Sequence, residues 1–393
     1  MNARNAASSA TIDAGALARA IGDFTRRAIV PHEACLARGG QAAHDTLALL
    51  MRDAQTAGLW GLFHPGSLGG GIASLADYIA IAEHEGYSEY GPAVFGSRAT
   101  LDLHMLDRHG SAELRARWLA PLARGEVLGA YAMTEPDAPG SVPATLSTHA
   151  TLRNGRWTID GCKWFISRAT DAAFVTVVAR TDLVAPLERA LSLFVVPTDA
   201  AGFSIEREIS VFGRTIGQRE LRFNAVDVSP SNLLGEPGEG LTLIRERLAL
   251  GRTLNAAHWL GLAQRCYDLM CERVWSPRGM RARLAEKQLV RMHVCDVHQA
   301  LAYARAQVRA AAGDGGALAV NLAKLASSRA LNVAADAALQ LHGAEGVSDA
   351  TPLASIFALA RTTRIMDGAD DALVSSCGQQ LLDLYRPSAS EAT

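Results

Sequence analysis

Asp367 stands in RTTRIMDGADDAL (361–373), after two apolar residues, Ile365 and Met366, and directly before Gly368. Aspartate beside glycine has an ordinary use at helix caps and turns. It has a second use as a general base, because a carboxylate kept from water gains proton affinity. Apolar neighbours such as Ile365 and Met366 suit a buried base better than a solvent-facing cap. Asp370 and Asp371 are close by, and Asp370, three residues on, shares a helix face with Asp367 if the helix continues. Other chemistries have less support. The chain has no GxGxxG after a strand, no P-loop, no GxSxG and no HExxH. His293 and His298 are five apart, a poor spacing for one metal, and no metal site is expected. The six cysteines, Cys35, Cys162, Cys266, Cys271, Cys295 and Cys377, form no CxxC pair and read as reduced thiols.

The elements that would position Asp367 follow from changes of texture along the 393 residues. Residues 1–125 are Ala- and Leu-rich with helical spacing, as in TLALLMRDAQTAGLWGL and AELRARWLAPLARG. Their glycine-rich stretch HPGSLGGGIAS (64–74) has no Lys-Ser/Thr after it and reads as a connecting loop. From 126 to 235 the period becomes two. ATLRNGRWTIDGCKWFIS (150–167) predicts a hairpin turning at Asn154-Gly155, and 172–180, 191–197 and 220–228 predict strands of one antiparallel sheet. Residues 236–393 are helical again, with Val290, Val294, Val297 and Leu301 as one buried stripe and later helices over about 318–341 and 352–385. Helices, then strands, then helices make an α+β fold with segregated classes.

A net charge of −2 without a basic cluster offers nucleic acid no field. No apolar stretch approaches the roughly 18 residues a membrane span needs, and the opening MNARNAASSATIDAGALARAIGDF lacks the pattern of an export signal, so the expected location is cytoplasmic.

Four stretches together resemble the acyl-CoA dehydrogenase family: YAMTEPDAPGS (131–141), CKWFIS (162–167), LALGRTLNAAHWLGLAQR (248–265) and AALQLHGAEGVSDATPLASIFALARTTRIMDGADDAL (337–373). The resemblance runs from about residue 50 to 385. It implies FAD as cofactor and a C-terminal four-helix bundle. It places Met133 and Thr134 at the flavin's pyrimidine side, counts Tyr131 among the cofactor-binding residues, and sets Phe165 against the ring and Ser167 near its N5. Ser141 falls at the CoA end of the substrate, and Arg252 reaches the substrate channel. Gln340 and Gly343 carry the loop that approaches the FAD pyrophosphate of a neighbouring subunit, where a Cβ would hold the main chain away. Asp367 falls at the catalytic carboxylate, as in the branch that uses Asp in place of Glu. Gly251 occupies the position from which some relatives supply their base.

Several positions depart from the family pattern. Pro139 is additional, and Val142 stands where an Asp usually follows the serine. In RVWSPRGMRARLAEKQ (273–288), Met280 and Arg281 replace Phe-Gly, Pro277 stands in the arginine's place, Arg278 is one position off, and Gln288 matches. Ala344 replaces the second Gly of the late loop, and Ala369 replaces a Thr. Each loss removes a contact of about 1 kcal/mol.

The resemblance implies α,β-dehydrogenation of an acyl-CoA or acyl-carrier-protein thioester. Asp367 would take the α proton and flavin N5 the β hydride, with an electron-transferring flavoprotein as the next acceptor and a homodimer or homotetramer as the assembly. Two alternatives stay open: a flavin oxidase that uses O₂, and a non-catalytic homologue with eroded FAD contacts.

Overall fold

A computed structural model describes residues 13–140 and 142–386. The N-terminal part is built on α1 (Ala14–Phe24), α2 (Gly40–Thr56), α3 (Leu75–Glu85), α4 (Thr100–His109) and α5 (Ala112–Ala123). Their starts follow capping chemistry. Asp13 accepts from the Ala16 N–H, Ser74 from Asp77 and Ser111 from Leu114, each satisfying a donor that the first turn leaves free. Residues 64–74 form a loop with one 3-10 turn, Gly66–Leu68.

Eight strands follow: β1 (Leu128–Ala132), β2 (His149–Arg153), β3 (Arg156–Ser167), β4 (Ala172–Arg180), β5 (Leu191–Pro197), β6 (Phe203–Val211), β7 (Arg214–Val228) and β8 (Leu233–Leu234). The β2–β3 hairpin turns at Asn154 (φ 49°) and Gly155 (φ 75°), the left-handed pair its sequence called for. The sheet order is β6-β7-β3-β2-β4-β5-β8, with β1 beside β4. The expectation of a purely antiparallel sheet is corrected: β1 runs parallel to β4, and His149 of β2 pairs with Arg180 of β4 in parallel. The path from β1 to β4 runs through β2 and β3, and β2 returns to β4 by way of the antiparallel β3, so each comes back in its original direction, which a single tight hairpin cannot do.

The C-terminal part contains α6 (Gly240–Trp275), α7 (Gln288–Asp314), α8 (Ala317–His342), α9 (Leu353–Thr363) and α10 (Asp370–Asp383). Val290, Val297 and Leu301 are buried along α7, and Val294 is half-buried. The single helix expected over 352–385 is two helices, broken at 364–369. Thr362 and Thr363 turn their hydroxyls back onto the carbonyls of Leu359 and Ala360 at 2.7 Å, which competes with helix continuation. The main core joins α1 and α3 to α6, α7, α8 and α9, while Leu243 and Ile244 of α6 pack with α4, α5 and one face of the sheet. The helix α6 thus touches every part of the chain. No helix among the described residues is long and apolar enough to cross a membrane.

Candidate active site

The break between α9 and α10 carries Asp367. After Thr363 the chain reverses, with the Ile365 and Met366 N–H groups donating to the Thr362 carbonyl at 2.8 and 3.0 Å. Asp367 (φ 56°) and Gly368 (φ 98°) are both left-handed. Aspartate tolerates that conformation better than most residues, and a Cβ at Gly368 would stand 2.9 Å from Arg252 Nη2. Asp367 therefore sits in a turn and shares no helix face with Asp370. Its apolar neighbours do not enclose it: Ile365 and Met366 are 62% and 40% exposed, turned outward by the reversal, while Asp367 itself is half-buried.

The enclosure comes from α6 and α8. Arg252 Nε donates to the Asp367 carbonyl at 2.7 Å and Nη1 to Asn321 Oδ1 at 2.9 Å. Burial pulls the Arg252 guanidinium below its ordinary pKa, opposed by the charge of Asp367. Asn255 donates its amide to Asp367 Oδ2. Oδ1 accepts from no described residue, and the Asp367 N–H likewise donates to none. Asp370, the buried first residue of α10, is engaged elsewhere: Lys324 Nζ lies 2.6 Å from its Oδ1 and 2.8 Å from the Gly368 carbonyl, and Ser328 donates to Oδ2 at 3.1 Å. Burial lowers the Lys324 pKa, opposed by Asp370. Of the neighbouring carboxylates, Asp367 keeps an open oxygen and Asp370 serves as a buried tie.

The residues expected around a flavin gather on β1 and β3. Tyr131 is in β1, with the Arg247 guanidinium 4.5 Å over its ring, and burial pushes its hydroxyl up to about 12 despite that charge. Thr134 donates its hydroxyl to the Trp164 carbonyl at 2.6 Å and accepts the Trp164 N–H on its own carbonyl at 3.0 Å. Phe165 sits in a bulge of the β3–β7 pairing at φ 53°, exposed, with its ring edge against Trp164. Ser167 is exposed and accepts from Gln218 at 2.8 Å. Ser141 lies outside the described residues. Gln288 and Gln340 are exposed, at the start of α7 and near the end of α8, and Gly343 caps α8 at φ 63° with open space where a Cβ would be.

Two of the expected residues have partners within the chain. Arg252 is drawn onto the Asp367 backbone, because the turn leaves that carbonyl without a helical partner. Arg278 is bound to Glu345, which also holds Arg273 Nη1 at 3.0 Å, so the loop after α8 supplies its own carboxylate to both arginines.

Sequence reasoning missed a second buried tie. Lys163 Nζ lies 2.8 Å from Glu135 Oε1 and 2.9 Å from the Met133 carbonyl. Glu135 also accepts from the Ser147 N–H and hydroxyl at 2.7 Å and from the Thr148 N–H at 2.9 Å. Burial alone would raise the Glu135 carboxyl, but Lys163 and these donors hold it at about 2, while burial brings Lys163 down to about 8. The pair locks the 133–135 loop to β3. Its signal was the period of two in CKWFIS, which turns Lys163 inward with Phe165 in the bulge beyond it. Asn255 was missed as well: it stands three positions from Arg252 on α6, a spacing that puts the two on one helix face without saying what they meet.

Among the described residues, no three His, Cys, Asp or Glu side chains converge to hold a metal. Residues 11–126, 130–226 and 238–382 match, in that order, "Acyl-CoA dehydrogenase, N-terminal domain", "middle domain" and "C-terminal domain". The chain is 34% identical over 336 residues to "Probable acyl-CoA dehydrogenase FadE2" of Mycobacterium tuberculosis, covering 82% of each protein. It is 32% identical over 345 residues to "Acyl-CoA dehydrogenase family member 11" of Mus musculus, covering 84% of this chain but 44% of that protein, so the chain spans less than half the length of that relative. Among solved structures, acyl-CoA dehydrogenase from Geobacillus kaustophilus shares the fold at a TM-score of 0.82 and 24% identity over 95% of this chain and 99% of the other. The glutaryl-coenzyme A dehydrogenase glutaryl-CoA complex does so at 0.84 and 23%, over 95% and 96%. With all three of its domains matched in order and a relative of similar length at this identity, the chain belongs to the acyl-CoA dehydrogenase family.

Proposed function

We propose that the protein carries out FAD-dependent α,β-dehydrogenation of an acyl thioester, on CoA or an acyl-carrier protein, with Asp367 removing the α proton. The observation that supports this most directly is the hold on Asp367. Arg252 fixes its backbone and Asn255 fixes one carboxylate oxygen, which leaves Oδ1 to take a proton. A hydrogen α to a thioester is a weak acid, so the developing enolate oxygen needs a donor, and the open Asp367 N–H beside the base suits it. Fixing base and donor on one residue sets both by a single backbone geometry.

The chain's residues fit FAD at the flavin end. The Thr134 N–H donates to no described residue, Ser167 is exposed, and Phe165 presents an exposed ring from its bulge. Bound FAD supplies the acceptor for the β hydride. Tyr131, Met133, Thr134, Phe165 and Ser167 would line the ring, and Gln288, Gln340 and Gly343 would hold the far end. An electron-transferring flavoprotein or O₂ takes the electrons onward. The exposed Trp275, Met280, Leu289 and Met292 support an interface between copies of the chain. In an Asp367→Asn variant loaded with FAD, anaerobic flavin bleaching by an acyl-CoA is expected to slow at least about 100-fold. Bleaching at the wild-type rate would remove Asp367 from this role.

One observation favours a second reading. Glu345 pairs with both Arg273 and Arg278 within the chain, which fits a homologue whose pyrophosphate contacts have eroded. A visible spectrum after incubation with FAD and desalting separates the two, since a non-catalytic chain stays colourless.

A further inference from the structure

Arg168 holds a backbone conformation that suits glycine. It directly follows Ser167, the last residue of β3, and opens the turn to β4, where the Asp171 N–H donates to its carbonyl at 3.1 Å. Its φ is 67°, which costs an L side chain about 1 kcal/mol and a glycine nothing. The side chain carried at that cost runs to the N-terminal helices. Nη1 donates to the Arg98 carbonyl at 2.7 Å, and Nη2 lies 4.0 Å from Asp102 Oδ2.

Asp102 of α4 is buried, and a second guanidinium meets it: Arg247 Nη2 of α6 lies 2.8 Å from its Oδ1. Arg247 is buried as well, with its guanidinium 4.5 Å over the Tyr131 ring. Among the described residues, neither arginine has another carboxylate within ion-pair distance. Two cations thus share one anion, and neither oxygen of that anion has an aligned hydrogen-bond donor among the described residues. Burial pulls the Arg168 guanidinium below its ordinary pKa; Asp102 opposes that shift and Arg247 adds to it. One net positive charge remains in a place where water screens it little.

That charge stands behind the ring site. Arg168 adjoins Ser167 in the chain, Arg247 covers Tyr131, and Ser167 and Tyr131 are both among the residues proposed above to line the flavin. The β hydride carries two electrons and one proton to the ring, which ends one unit more negative, while the α proton goes to Asp367. A fixed cation nearby favours the ring after that transfer over the ring before it.

We infer that Arg168 and Arg247, sharing Asp102, hold a fixed positive charge behind the flavin and raise its reduction potential. The inference rests on the FAD reading, so its test measures the bound flavin with no thioester present.

The test is the two-electron midpoint potential of the FAD-loaded protein, titrated against a redox dye of known potential. It is run on wild type, Arg168→Gly, Arg168→Lys and Asp102→Asn. Arg168→Gly removes the charge and relieves the backbone. It is expected to lower the potential by about 30 mV, a tenfold change in the ratio of oxidised to reduced flavin. Arg168→Lys keeps the charge and should show less than half of that fall. Asp102→Asn removes the anion and should move the potential upward, a sign that lost packing alone does not give. An unchanged potential in Arg168→Gly, an equal fall in the Gly and Lys variants, or a fall in Asp102→Asn overturns the inference while the FAD reading stands. Should Asp102→Asn fail to fold, the two Arg168 variants decide alone. A wild type that retains no FAD takes both readings down together.

Discussion

Lys324 Nζ lies 2.6 Å from Asp370 Oδ1 and 2.8 Å from the Gly368 carbonyl, so one buried ammonium ties both sides of the turn that presents Asp367. Arg252 holds the same turn at the Asp367 carbonyl from another helix. The turn is therefore fixed by charges whose desolvation has already been offset by pairing. Removing one partner exposes that cost. Lys324→Met leaves Asp370 with Ser328 and the half-exposed Arg364, whose Nε stands 3.4 Å from Oδ2, and is expected to destabilise the fold by about 3 kcal/mol. Lys324→Met with Asp370→Leu recovers much of that loss, because no buried charge is left unpaired. Urea unfolding of both variants checks it, and a double variant no more stable than the single would refute the argument.

Asn255 has no other hydrogen-bond partner among the described residues than Asp367 Oδ2, and it sits on the same helix as Arg252. Replacing it by Leu keeps the volume and removes the amide, freeing the carboxylate to rotate away from one approach. The expected result is a kcat roughly 10- to 100-fold lower with thioester affinity retained. Asn255→Gln, which keeps an amide on a longer stem, recovers part of the rate. Equal losses in the Leu and Gln variants would mean that packing, and not the amide, holds Asp367.

Glu135 makes the acid limb of stability predictable. Its folded carboxyl is held at about 2, against an ordinary 4.5, by Lys163 and its donors in spite of burial. A carboxyl with a depressed folded pKa contributes stability that is complete above pH 4.5 and is lost as pH falls towards about 2. The difference in unfolding free energy between wild type and a Glu135→Gln, Lys163→Met double variant should shrink steadily across that window. A difference that stays constant from pH 5 to 2.5 would show that the tie is not ionised in the fold.

Much of this was readable from the residues. The β-branched and aromatic runs at 172–180 and 191–197 coincide with β4 and β5, because a central strand buried on both faces leaves few sequences that fit. The strands β1 and β6 escaped notice. The first is five residues of LGAYA, too short to show a period, and the second, FSIEREISV, alternates Phe203, Ile205, Ile209 and Val211 with polar residues but is interrupted by Arg207 and largely exposed. Resemblance singled out Asp367, but its surroundings were not legible. Lys324 and Asn255 arrive from helices 43 and 112 positions away in the chain, and no local pattern encodes which charged side chain will meet which. The apolar pair Ile365–Met366 misled for the same reason. Its direction depends on where α9 stops, which two threonine hydroxyls decide.

Gly261 tests how tightly the scaffold beneath the site is built. A Cβ there would fall 1.9 Å from the Glu83 carbonyl oxygen and 2.6 Å from the Gly86 carbonyl carbon, while one on Gly86 would fall 2.2 Å from the His258 carbonyl oxygen. The helices α3 and α6 thus cross backbone to backbone, through glycines on both sides. Backbone cannot rotate away as a side chain can, so Gly261→Ala must push the helices apart or bend α6. The crossing lies within two turns of Asn255, and a shift there reaches the residue that steadies Asp367. Gly261→Ala is expected to cost about 3 kcal/mol. Gly378 supplies the opposite case: it lies inside α10 with nothing within 4 Å of its Cβ position. Gly378→Ala should therefore stabilise by about 0.5–1 kcal/mol through helix propensity alone. Urea midpoints of the two variants should move in opposite directions. A Gly261→Ala protein as stable as wild type would mean that α3 and α6 have room to separate, and that the geometry at Asn255 tolerates it.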